Sequence, residues 1–197
     1  MTSVNKGKIL LQIARSSIAE ALGIEHESLD DSITSATWLQ KKAACFVTLT
    51  QQEQLRGCIG TLEAHRPLLD DVRHNARSAA FKDPRFSPLT SDELSRTEIE
   101  VSLLSAMQPM SFSDESEALK QLQPGIDGLV FEFERYRSTF LPQVWEQLAD
   151  ATDFMAHLKQ KAGLPTDFWA DDVKLYRYTV DKWKEKDFKN QHESTTA

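Results

Sequence analysis

The chain has 197 residues, enough for one well-buried core and short of the size at which cores usually divide, so a single domain with room for two lobes is expected. Its composition is that of an ordinary globular protein, and 23 Lys and Arg against 30 Asp and Glu leave a net charge of −7, which argues against a nucleic-acid footprint but leaves room for a local basic pocket. The first seven residues lack the order of a secretory signal, no apolar run is long enough to span a bilayer, and two cysteines make no disulfide framework, which together predict a cytoplasmic protein.

Ile9, Leu10, Ile13, Ala14, Ile18, Ala21 and Leu22 recur at helical spacing, with Asn5 as a cap and Gly23 placed to end the helix. Residues 24–37 are polar and irregular and read as a loop. In 38–50, Ala44, Phe46 and Thr48 alternate with Cys45, Val47 and Leu49, which predicts a strand buried on both faces. A polar turn at 51–54 follows, and 55–61 returns as the second arm of a hairpin. A turn at the pair Gln51-Gln52 puts Cys45 opposite Cys58, whereas a four-residue loop does not.

Pro67 opens a helix with Asp70 and Asp71 in its first turn and an apolar stripe of Leu68, Leu69, Val72, Ala76, Ala79 and Ala80. Its free amides lie just past Gly60, placed to help hold an anion. Residues 83–89 are too rich in proline for regular structure and form a rigid loop. Ile99, Val101 and Leu103 alternate with Glu98, Glu100 and Ser102 in a half-exposed strand.

A short helix is expected over 115–122, a turn over 124–128, and a strand through Leu129, Phe131 and Phe133 that pairs back over 135–140. Helices follow from Pro142 and from Phe154 to Ala162, Phe168 and Trp169 act as anchors, and 173–180 makes a late strand. Polar residues from 188 should fray, which leaves 1–187 as one domain. Strands and helices mix without βαβ alternation, so the fold class is α+β, a mainly antiparallel sheet flanked by helices.

The densest chemistry lies in Leu55-Arg56-Gly57-Cys58-Ile59-Gly60-Thr61. Gly57 and Gly60 inside a strand mark a bulge or the close approach of a ligand or another backbone. Cys58 is either a reactive thiol, favoured by the Arg56 charge two residues away, or a small buried hydrophobe. Arg56 is either a clamp for an anionic ligand or a structural tie to one of the acids. His65, just beyond, is a base for Cys58 or a solvated loop residue.

Asp83 and Arg85 line a ligand site or brace the loop around Phe86, and Asp127, between Gly125 and Gly128, points into a cleft or binds its own backbone. The five histidines have no metal-ligand spacing, and no nucleotide-binding fingerprint occurs, so neither metal nor cofactor is expected.

Four stretches together resemble a known family: 55–60; Asp83-Pro84-Arg85-Phe86 through Leu89 with the strand 99–102; Gly125-Ile126-Asp127-Gly128-Leu129; and Phe140-Leu141-Pro142-Gln143-Val144-Trp145 followed by Lys161-Ala162-Gly163-Leu164. They look like the AMMECR-one domain family, in its bacterial form called AmmeMemoRadiSam system protein A. The resemblance covers nearly the whole chain and implies two unequal lobes, with the first stretch near the cleft between them. It also implies two partners, a Memo-like protein and a radical-SAM protein, and it supplies no reaction. The expectation is a site around 56–60 that binds an anionic small molecule or modified peptide, with Cys58 thiol chemistry available. The alternative is a non-catalytic adaptor whose motif shapes a protein-binding surface.

Overall fold

The computed structural model describes residues 2–26 and 29–188. In chain order the elements are α1 (Ser3–Ala21), α2 (Asp31–Thr34), α3 (Thr37–Gln40), β1 (Cys45–Gln51), β2 (Gln54–Gly60), α4 (Leu68–Phe81), α5 (Ser91–Leu94) and β3 (Glu98–Leu104). Then come β4 (Gln108–Pro109), α6 (Glu115–Gln121), β5 (Gly128–Phe133), β6 (Tyr136–Phe140), a 3-10 helix (Pro142–Glu146), α7 (Ala151–Lys161), β7 (Lys174–Tyr178) and β8 (Val180–Lys184).

The class is α+β, with two four-stranded sheets, ordered β2-β1-β3-β8 and β4-β7-β5-β6. Two compact units contain them: one runs to Leu104 and resumes at Asp181, the other is Ser105–Val180. Among the described residues no helix is long and apolar enough to cross a membrane.

In the first unit, Leu10, Ile13, Ala14 and Ile18 of α1 and Val72, Ala76 and Ala79 of α4 bury against Cys45, Val47, Leu49, Ile99 and Val101. Each large apolar side chain buried there contributes about 1.5–3 kcal/mol. Thr2, rather than Asn5, caps α1, its hydroxyl accepting the Asn5 N–H at 3.4 Å, and Gly23 at φ +67° follows the helix end.

The expected loop 24–37 contains α2, where Asp30 accepts the Ser32 N–H at 2.8 Å. Trp38 belongs to α3, so β1 begins at Cys45 and not at 38. Burial in β1 is less even than the two buried faces expected: Cys45, Val47 and Leu49 are fully buried, whereas Phe46 and Thr48 on the opposite face are half-buried.

The hairpin turn is neither of the expected ones. Gln52 and Glu53 both take positive φ, +50° and +63°, the geometry of a two-residue primed turn without glycine. The register then sets Thr48 opposite Cys58 and Cys45 opposite Leu103, so the two cysteines point to different faces of the sheet. The register shifts between Leu49 and Thr50, where Gly57 and Leu55 are the successive partners and Arg56 is the extra residue of a β-bulge.

In the second unit, Leu129, Val130 and Phe131 of β5 are fully buried. Trp145 stacks on Phe154 at 3.8 Å between centroids, and the expected anchors Phe168 and Trp169 pack on Phe133 and Phe112. Phe188 is half-buried against the first unit's core, and the rest of the expected tail, 189–197, lies outside the described residues.

Candidate functional site

β2 is an edge strand, and an edge exposes unpaired N–H and C=O groups. The loop after α4 closes that edge at Cys58. Asp83 Oδ2 accepts the Cys58 N–H at 2.9 Å, and Arg85 Nη2 donates to the Cys58 carbonyl at 3.3 Å. Arg85 in turn grips the same carboxylate through Nε and Nη2 at 2.9 and 2.7 Å. Asp83 is buried, yet the Arg85 guanidinium, joined by the Cys58 and Arg85 N–H groups, holds its carboxyl well below the usual range. Asp83 and Arg85 therefore brace the loop against the motif, with Arg85 half-exposed beside it.

The two glycines let other groups close on the strand. A Cβ at Gly57 would lie 2.2 Å from the Ala79 carbonyl oxygen of α4, and one at Gly60 would lie 2.2 Å from the Phe46 ring. Between them Cys58 is half-buried, and the Thr48 hydroxyl donates to its Sγ at 3.3 Å. Cys45 is fully buried, and burial, followed by the Asp71 charge, pushes its thiol well up. Iodoacetamide is therefore expected to modify one thiol per folded chain, at Cys58, and two after unfolding. Peptide mapping checks this; labelled Cys45 in the folded protein contradicts its burial.

Arg56, displaced by the bulge, donates through Nε and Nη2 to the two Glu93 carboxylate oxygens, each at 3.1 Å, with the Phe86 ring 5.9 Å from the guanidinium. Its Nη1 is buried without a hydrogen-bond partner. Glu93 also accepts the Thr90 N–H and hydroxyl at 2.9 and 3.1 Å. The Arg56 bonds first, then the Thr90 N–H, lower the Glu93 carboxyl from 4.5 to about 2.

A carboxyl depressed in the folded state stabilises it fully above its ordinary value and loses that contribution as the pH falls towards the folded value. The gap in urea midpoint between the wild type and Glu93→Gln is thus expected to be widest above pH 5 and to close between about 4.5 and about 2. A gap independent of pH would contradict the pair.

His65 is exposed, and its Nδ1 donates to the Glu63 carbonyl at 2.9 Å; no hydrogen bond among the described residues joins it to Cys58. Asp127 lies in the second unit, where its carboxylate accepts the Gln123 N–H at 2.8 Å and its carbonyl accepts Trp145 Nε1 at 2.7 Å. It holds its own turn.

Two amides at the start of α4 are taken up within the chain: Leu68 N–H donates to the Lys41 carbonyl at 2.9 Å and Asp71 N–H to the Pro67 carbonyl at 3.0 Å. Arg56, Gly57, Cys58, Gly60, Asp83 and Arg85 thus come together, while His65 and Asp127 do not join them through any such bond. Thr48 and Glu93 are the residues that sequence reasoning missed. Thr48 follows only from the true hairpin register, whereas Glu93 carries a readable signal, the Thr90-x-x-Glu93 pattern of a helix start.

Comparison with known proteins identifies a family. A family model described as AMMECR1 matches residues 11–183. Protein MJ0810 of Methanocaldococcus jannaschii is 40% identical over 149 residues, 74% of each chain, and a protein of Methanothermobacter thermautotrophicus is 36% identical over 179 residues, 89% of this chain and 92% of that one. An uncharacterized protein, PH0010, from Pyrococcus horikoshii has a crystal structure that matches with a TM-score of 0.74 at 34% identity, covering 91% of both chains. Since the family model takes in β2, the bracing loop and both sheets, the chain belongs to the AMMECR1 family.

Proposed function

We propose that Cys58 is the centre of a ligand site on the first sheet, where its thiol meets a small molecule or modified peptide that carries an anionic group. In this reading the chain works with the Memo-like and radical-SAM partners that the family resemblance implies. One observation carries it: the only half-exposed thiol is fixed from three sides. Its N–H and C=O are tied to Asp83 and Arg85, its Sγ accepts from Thr48, and glycines on both sides close the strand on its neighbours. A cysteine that merely fills space requires none of this.

The Thr48 hydroxyl is placed to favour sulfur that carries negative charge, as in attack on an electrophilic carbon. The donor open to an anionic group is the half-exposed Arg85 guanidinium; Arg56 is paired with Glu93 and its remaining Nη1 is buried. The test is the iodoacetamide rate at Cys58 against that of glutathione at the same pH. Cys58 is expected to react faster, and Thr48→Val, which keeps the shape and removes the donor, to slow it about tenfold. A rate no higher than glutathione's and insensitive to Thr48→Val would sink the thiol reading.

A second reading, a non-catalytic adaptor, draws support from the internal pairing of both guanidiniums and from Leu55, 42% exposed on β2. It predicts that Leu55→Glu weakens capture of a purified Memo-like protein about tenfold while Cys58→Ser leaves it unchanged. Equal loss in both variants would count against it.

A further inference from the structure

The first unit carries a concavity against the outward side of α4. Helix α4 buries Val72, Ala76, Ala79 and Ala80, so the remaining stripe, Arg73, His74 and Arg77, faces outward. With Ser78, Phe81 and Lys82, and with Glu20 from α1, this stripe lines a groove of about 670 Å³. That volume lies within the range of small-molecule sites, about 300–1,000 Å³.

The groove's charge runs against that of the chain. Three permanent cations, Arg73, Arg77 and Lys82, face one carboxylate, Glu20, in a protein of net charge −7. Arg77 takes that carboxylate at 2.5 Å and also donates to the Ser17 carbonyl at 3.3 Å, which anchors it between the helices. Arg73 and Lys82 have no hydrogen bond or ion pair from their side chains among the described residues, which leaves two positive charges in excess.

His74 senses the same field: desolvation first, then the Arg66 and Lys82 charges, lower its proton affinity. Phe81 is half-buried and gives the groove its one aromatic face.

We infer that this groove binds a small phosphate monoester with an aromatic body, the phosphate held by Arg73, Arg77 and Lys82 and the ring laid against Phe81. A phosphate monoester carries about two negative charges at pH 7, the number the groove leaves unmatched. Its oxygens suit a guanidinium fork better than a point charge, which makes Arg73 the principal free contact and Lys82 the second. None of Arg56, Cys58, Asp83 and Arg85 lines the groove, so the assignment stands whether or not the thiol is reactive.

Phenyl phosphate is the probe, titrated into the full-length ¹⁵N-labelled protein at low salt, where surface charges are least screened. Saturable shifts are expected on amides of 73–82 and around Glu20, with a dissociation constant of about 1 mM or below. Inorganic phosphate is expected to bind at least about threefold more weakly because it leaves Phe81 uncovered. Arg73→Gln and Lys82→Gln alter exposed side chains and should leave the fold intact; each is expected to weaken phenyl phosphate about threefold and the pair about tenfold. Absence of saturable shifts, shifts centred elsewhere, or an affinity unchanged in the double variant would overturn the site. Equal affinities for inorganic and phenyl phosphate would overturn the aromatic part of the assignment.

Discussion

Gly57→Ala is expected to be the most damaging single-methyl change in the chain, with loss of the folded first unit as its outcome. The added carbon would lie 2.2 Å from the Ala79 carbonyl oxygen and 3.1 Å from its carbon, and both are backbone atoms in the last turn of α4. No rotamer change relieves this. Either α4 moves off the sheet, undoing the burial of Val72, Ala76 and Ala79 against β1, or β2 leaves β1 at the bulge. The cost should exceed the ~1–3 kcal/mol of ordinary overpacking and approach the whole stability of a small domain, ~5–15 kcal/mol.

Gly60→Ala is a useful contrast, because the atoms it meets belong to the Phe46 ring, which can swing; its penalty should be smaller. Gly125→Ala meets nothing within 4 Å and pays only for its φ of +79°, about 1 kcal/mol. Urea unfolding of the three variants should give that order. A Gly57→Ala midpoint close to that of Gly125→Ala would mean that β2 does not lie on α4 as described.

Much of this arrangement is legible in the chain itself. Alternation of residue types at 45–49, 99–103 and 129–133 identifies β1, β3 and β5, because few other conformations repeat every two residues, although Ser102 and Val130 on the alternate faces are buried as well. Burial of the apolar stripe on α4 follows from its 3.6-residue spacing.

What stays illegible depends on single backbone torsions or on distant pairing. Positive φ at Gln52 and Glu53 is not written in those residue types, yet that turn, together with the bulge at Arg56, sets the register that makes Thr48 the neighbour of Cys58. The bulge that carries Arg56 to Glu93 has no local signature, since the two residues are 37 positions apart. Strands β4 and β8 escape because one is two residues long and the other shows a single buried apolar residue, Trp183, between lysines. Asp71 suits the first turn of a helix by its charge, but nothing local reveals that it is fully buried and holds the end of the motif.

That burial makes Asp71→Ala the second large loss. Asp71 Oδ2 accepts the Cys45 N–H at 2.9 Å, Oδ1 accepts the Thr61 hydroxyl at 2.8 Å, and Arg66 Nε lies 3.1 Å from Oδ1. Asn75, one turn along α4, donates to Asp71 Oδ2 at 3.1 Å and to the Cys45 carbonyl at 2.9 Å, so one carboxylate and one amide tie the start of β1 and the end of the motif to the helix. Removing the carboxylate leaves the Cys45 N–H without its acceptor and the Arg66 cation without its partner, which together cost about 3–5 kcal/mol. Asp71→Asn keeps the shape but turns an NH₂ either on Thr61 and Arg66 or on the Cys45 N–H and Asn75, so it should fall between alanine and the wild type.

The network also predicts non-additivity. Asp71→Ala and Asn75→Ala combined should destabilise less than the sum of the two, by about 0.5–3 kcal/mol, because the second change removes bonds that the first has already broken. Native-state alkylation supplies an independent readout. Cys45, protected in the wild type, should become modifiable in Asp71→Ala at a urea concentration where Cys58 alone reacts in the parent, since the strand that shields it has lost its tie to α4. Additive losses with Cys45 still protected would mean that the apolar contacts of β1, and not this polar junction, hold the motif in place.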